Sequence, residues 1–120
     1  MKIAVSAQGK ELDSMVDPRF GRAMCFIIYD TESETFEAIS NEQNAMAAQG
    51  AGIQASQKVA AHKPDLIVSG NFGPKAFQVL AAAGIKIALW SDGKVSEAIE
   101  LAKNDKLEIA KNSNVMGHWK

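Results

Sequence analysis

Residues 64–90 read PDLIVSGNFGPKAFQVLAAAGIKIALW, and the order of signals in this stretch decides the fold. Pro64 closes the helix before it, because the residue preceding a proline avoids the helical region. Asp65 to Ser69 is an apolar strand, and Gly70-Asn71-Phe72-Gly73 is a tight turn. Pro74 suits the first turn of a helix, where its missing N–H is no loss. That helix buries Phe77, Leu80 and Ala83 and stops near Gly84, and Ile85 to Trp90 is the next strand. A strand, a helix and a strand in this order make parallel neighbours joined by a right-handed crossover.

The same alternation extends on both sides. Upstream, from about Ala45 to His62, Ala48, Gly52, Ala55 and Val59 recur at helical spacing, and their small size predicts a helix packed close against a sheet. Downstream, Ser91-Asp92-Gly93 turns into a last helix carrying Val95, Ala98, Ile99 and Ala102. At the front, Lys2 to Ala7 is a buried strand and Met24 to Tyr29 a second. Thr35 to Ile39 alternates like a half-exposed third, after a polar turn at Thr31 to Ser33. Strands two and three are close enough to form a hairpin. The string is β-β-β-α-β-α-β-α, which predicts one three-layer α/β/α domain over residues 1–120 with a mixed sheet between helices. From Lys111 to Lys120 no period is visible, so the tail is expected to be loosely held.

Composition narrows the function. The chain has 120 residues, 47% of them hydrophobic, and 13 basic against 14 acidic side chains for a net charge of -1. That balance argues against nucleic acid as the main partner, since a phosphate backbone is usually met by a basic excess. Cys25 is the single cysteine, so neither an internal disulfide nor a thiolate cage of about four ligands can be built from this chain. The longest apolar runs reach about ten residues, short of the roughly twenty that cross a bilayer. The N-terminus opens directly with Met1-Lys2-Ile3-Ala4-Val5, without the apolar run of a signal peptide, which makes the cytoplasm the expected location.

In an open α/β sheet, ligands settle beyond the carboxyl ends of the strands. If the first and fourth strands are neighbours, two loops meet there: Gln8 to Ala23, and Gly70 to Pro74, with Asp92-Gly93 beside them. The first loop is long for a compact domain, and such loops tend to be functional. It carries Asp13, Ser14, Asp17, Arg19 and Arg22. One reading has the arginines pairing with Asp13 and Asp17 and pinning the loop; the other has a guanidinium reaching a bound anion with its fork of donors. The second loop places backbone N–H groups at a helix start, which favours negative charge, and Lys75 adds a cation. It lacks the spacing and the Lys-Ser/Thr ending of a P-loop. Cys25 reads as core, His62 as a helix-end residue facing solvent, and Trp90 and Trp119 as packing. His118 is a ligand only if the tail folds back.

Leu12-Asp13-Ser14, Val16-Asp17 and Arg19-Phe20-Gly21-Arg22, followed by a Phe-Ile-Ile-Tyr-Asp strand, resemble the opening of the dinitrogenase iron-molybdenum-cofactor-binding family. Asn41, Gly50-Ala51-Gly52, Ser69 to Ala76 and Ala83-Gly84-Ile85 match its later landmarks in order, over roughly residues 1–103. The resemblance implies a ribonuclease-H-like fold with a five-stranded sheet in order 3-2-1-4-5 and strand two antiparallel. It implies a non-catalytic carrier, akin to nitrogenase accessory factors, for an iron-molybdenum-type or other metal-sulfur cluster or small anion, passed between a donor and an acceptor protein. The two loops together give a candidate site that joins Asp13, Arg19, Phe20, Gly21 and Arg22 with Gly70, Asn71, Phe72, Gly73 and Lys75. Nitrogenase-linked members commonly carry His-Phe-Gly where this chain carries Arg19-Phe20-Gly21; an imidazole can ligate a metal, whereas a guanidinium only pairs with anions.

Other functions compete with this one. A nuclease needs several carboxylates converging on a metal pair, yet the first strand has no acidic residue and Asp65 stands at the wrong end of the fourth. A protein-interaction or regulatory module without metal would use apolar exposure at Met15, Val16 and Phe20 on the first loop.

Overall fold

A computed structural model describes residues 1–46 and 50–111. The elements are β1 (Lys2–Ala7), β2 (Cys25–Asp30), β3 (Thr35–Ser40), α1 (Glu42–Ala45), α2 (Ala51–Ala61), β4 (Leu66–Ser69), α3 (Pro74–Ala82), β5 (Lys86–Leu89), α4 (Val95–Lys103) and β6 (Glu108–Ile109). They form one mixed sheet in the order β3-β2-β1-β4-β5-β6. β1, β4 and β5 run parallel, with Val5 opposite Val68 and Val68 opposite Ala88. β2 is antiparallel to both β1 and β3, so the hairpin extends the sheet on one side.

The first five strands stand in the expected order, and β6 adds a sixth. It pairs only Ala88 with Ile109 and Leu89 with Glu108. Two residues cannot display a period, so this edge left no mark in the sequence pattern.

The helix expected from about Ala45 to His62 corresponds to α2, which spans Ala51–Ala61. α1 is a single turn, and α2 starts only after Gly50, whose φ of 76° lies in the left-handed region that a continuous right-handed helix cannot contain. Ala48 lies outside the described residues, as do His118 and Trp119. His62 caps the carboxyl end of α2.

The pleat sends alternate residues of β1 to opposite faces. Ile3, Val5 and Ala7 pack with Val95, Ala98, Ile99 and Ala102 of α4. Ala4 joins Phe26, Ile67 and Ile87 beneath Ala55 and Val59 of α2 and Ala76 and Leu80 of α3. Close packing by small residues also operates between α2 and α3: a Cβ built on Gly52 would stand 3.4 Å from the Ala76 methyl. Beside it, the Ser56 hydroxyl donates to the carbonyls of Gly52 (2.7 Å) and Ala76 (3.3 Å).

Cys25 sits in the α4-side core, and its thiol donates to the Gly9 carbonyl at 2.9 Å. Burial pushes its pKa up, against a smaller opposing pull from Lys10. A raised value favours the protonated thiol, so its stabilising contribution is complete below the ordinary thiol pKa of about 8.5 and is lost as pH rises through the raised one. Iodoacetamide at about pH 8 should therefore modify the folded protein at least about a hundredfold more slowly than the urea-unfolded chain. Equal rates would show that the thiol is open to solvent.

Candidate anion-binding cleft

The first loop changes faces partway along. Its opening half is tied to the start of α4: the Val16 N–H donates to Gly93 O (2.9 Å), Val95 N–H to Ser14 O (2.8 Å) and Ser96 N–H to Leu12 O (2.8 Å). Val16 and Leu12 pack into the α4-side core, so Asp13 is exposed on that side. The chain crosses the end of the sheet at Asp17, which is buried. There the Asp17 N–H donates to Ser6 O (2.9 Å). Its carbonyl accepts from the hydroxyls of Ser6 (2.6 Å) and Ser69 (3.1 Å), at the carboxyl ends of β1 and β4. Those two serines fix the crossing at the switch point between the central strands.

Beyond the crossing, the loop zips onto the turn after β4. The Phe20 N–H donates to Asn71 O (3.2 Å), and Asn71 Nδ2 donates back to Pro18 O (3.0 Å). Under this ladder the rings of Phe20 and Phe72 stack at 5.0 Å, each only 1% exposed. A Cβ on Gly70 would lie 3.0 Å from the backbone of Pro18, so glycine is what lets the two loops touch. Gly21 then reaches α2, where a Cβ would come within 3.1 Å of Gly52.

These contacts enclose a cleft of about 410 Å³ with three walls. Gly21 and Arg22 form one, residues 50–53 at the start of α2 the second, and residues 73–76 at the start of α3 the third. The N-caps of both helices are glycines, Gly50 and Gly73, and neither end has a side-chain cap. The first intrahelical bonds are made by Gln54 N–H to Gly50 O and Phe77 N–H to Gly73 O, each 3.0 Å. The N–H groups of residues 51–53, and of Lys75 and Ala76, therefore have no acceptor within their own helix. Two partial positive helix ends converge here, each equivalent to about half a unit charge, with Arg22 and Lys75 beside them.

Of the residues predicted for a site, Gly21, Arg22, Gly73 and Lys75 line this cleft. Phe20 and Phe72 are core residues beneath it. Gly70 and Asn71 join the loops. Arg19 lies outside the lining; its side chain is 66% exposed and its Nε stands 3.4 Å from Asp17 Oδ1. That contact is half of the loop-pinning arrangement considered from the sequence. Arg22 Nη1 instead donates to Ala45 O at 3.2 Å, and no ion pair involves Asp13 among the described residues. The sequence pattern does not point to the α2 wall, because a helix beginning near Ala45 has Gly50 and Gly52 in its interior. The Gly50-Ala51-Gly52 triplet was the available signal for a helix start.

A larger groove of about 800 Å³ lies at the amino ends of the parallel strands, lined by Met1, Glu32, Asp65, Lys86 and Asp105 among others. It contains no predicted site residue and no helix amino end, so volume alone does not mark the chemistry. Among the described residues no three His, Cys, Asp or Glu side chains are grouped to hold a metal ion, and no helix is long and apolar enough to cross a membrane.

The fold and the sequence are shared with known proteins. The orange protein of Desulfovibrio gigas, solved in its apo form, superposes with a TM-score of 0.92 at 37% identity, covering 95% of this chain and 96% of that one. A NifB-like protein from Thermotoga superposes with a TM-score of 0.78 at 38% identity, over 90% of this chain and 91% of that one. An uncharacterised protein of Methanocaldococcus jannaschii is 31% identical over 112 residues, 90% of each chain. The model of the family described as dinitrogenase iron-molybdenum cofactor matches residues 1–105. By the length of that match and these relatives, the chain belongs to the dinitrogenase iron-molybdenum cofactor family.

Proposed function

We infer that this protein is a non-catalytic carrier of an anionic metal-sulfur cluster, of the iron-molybdenum type or a related one. It would take the cluster from a donor protein and release it to an acceptor in the cytoplasm. The observation that carries this reading is the convergence of two helix amino ends, Arg22 and Lys75 on one cleft. Sulfide or oxide atoms on the surface of such a cluster accept hydrogen bonds, so backbone N–H groups and cations hold it without a ligand bond to metal. The donor set fits that mode: among the described residues the cleft lining contains no His, Cys, Asp or Glu.

The rivals have less support. On a ribonuclease-H-like reading of the sheet, a nuclease would need several carboxylates converging at the carboxyl ends of the strands. Asp17 lies there, but among the described residues no three His, Cys, Asp or Glu side chains are grouped to hold a metal, and Asp65 lines the opposite groove. An interaction module using Met15, Val16 and Phe20 would need all three exposed. Met15 is 46% exposed, but Val16 and Phe20 are buried.

The test is anaerobic equilibrium dialysis against tetrathiomolybdate, with and without added iron or copper, followed by metal analysis and an absorption spectrum. Uptake near one cluster per chain with a charge-transfer band is expected. A protein that takes up none of these while cleaving nucleic acid or capturing a protein partner would overturn the carrier reading.

A further inference from the structure

The single turn α1 lies against the cleft wall formed by the first loop. Asn41, which precedes it, is fully buried, and its carboxamide is used at both ends. Nδ2 donates to the carbonyls of Ala23 (2.8 Å) and Gly21 (3.4 Å), and Oδ1 accepts from Asn44 Nδ2 (2.9 Å). Its backbone N–H donates to Met24 O at 2.8 Å, and its carbonyl accepts from Ala45 N–H at 2.9 Å. Ala45 in turn accepts the Arg22 guanidinium through its own carbonyl. The residues on either side of Arg22 are thus gripped by one amide, and the tip of Arg22 is held by the same turn. Aspartate would keep the acceptor but lose the donor; leucine would lose both.

Across the cleft, Gly21 stands so near α2 that a Cβ on it would lie 3.1 Å from the Gly52 backbone. The wall therefore has no room for a side chain toward α2, and the Asn41 amide holds it from behind. We propose that Asn41, oriented by Asn44, is a positioning residue for the cleft: it touches no ligand and sets where Arg22 presents its charge to a bound anion. This inference rests on the carrier reading and adds to it the device that pre-orders the site. Pre-ordering matters because a guanidinium fixed before binding loses less freedom on contact with the anion.

A purely structural asparagine would lower stability without changing the affinity of molecules that remain folded. The experiment is a double-mutant cycle with tetrathiomolybdate as probe, on variants shown by circular dichroism to be folded at the assay temperature. Asn41→Ser should bind about tenfold more weakly than the parent, the loss of roughly one charge-assisted hydrogen bond. Asn44→Ala, a milder change, should weaken binding in the same direction. Adding Asn41→Ser to an Arg22→Ala background should cost almost nothing more, because both act through the same guanidinium. Parent-like affinity in folded Asn41→Ser and Asn44→Ala, or full additivity with Arg22→Ala, overturns the positioning role alone. Absence of binding by the parent chain overturns the carrier reading and takes the positioning role with it.

Discussion

Arg22→Ala/Lys75→Ala should bind tetrathiomolybdate at least about a hundredfold more weakly than the parent chain at low ionic strength. Each side chain can supply a charge-assisted hydrogen bond of about 1.5–3 kcal/mol, and two such losses exceed two decades of affinity. Both line the cleft at the helix amino ends. The contrasting variant is Arg19→Ala, which should change affinity by less than about threefold, because Arg19 stands outside the lining and is largely exposed to screening solvent. Dialysis at low and high salt checks both statements, since the difference between parent and double variant should shrink as salt rises. Arg19→Ala weakening binding as much as the double variant would move the site to the exposed end of the first loop. A double variant that binds like the parent would leave the cleft without a role.

Phe20→Ala should cost about 3–5 kcal/mol of folding stability, a large share of the margin of an ordinary domain. Phe20 lies between Phe72, stacked at 5.0 Å, and Phe26, tilted at 5.2 Å, and all three rings are at most 1% exposed. Truncation would leave a cavity where the first loop, the turn after β4 and the sheet meet, and would remove the ring contacts along with the buried area. Urea unfolding followed by circular dichroism measures the loss. Phe20→Leu, which keeps most of the volume, should cost about 1–2 kcal/mol and leave affinity near that of the parent. If Phe20→Ala instead unfolded at the parent's urea midpoint yet failed to bind, Phe20 would be a ligand contact and the packing account would be wrong.

Several features of the fold are legible in the chain because they repeat. Apolar runs at 3–5, 26–29 and 66–68 mark strands buried on both faces, and Pro74 marks the start of α3 to the residue. The acidic and basic content, the lone Cys25 and the absence of carboxylates from β1 already narrow the chemistry. Signals that depend on one residue's backbone conformation were weaker. Gly50 looks like a helix residue by spacing, and only its left-handed φ moves the start of α2 to Ala51.

By itself, then, the sequence determined the alternation of elements and the two loops beyond the carboxyl ends of the strands, because periodicity and proline and glycine placement are local properties. Only the tertiary structure decided which members of those loops line the cleft. Motif neighbours such as Arg19, Phe20, Gly21 and Arg22 point in different directions: outward to Asp17 and solvent, inward to the core, against α2, and along the cleft toward α1. The crossing at Asp17 sends Asp13 to the opposite face of the sheet, and the amino end of α2 enters the site from a separate part of the chain. Such choices follow from how the loop's hydrogen bonds are satisfied against distant strands and helices, and no local pattern encodes them.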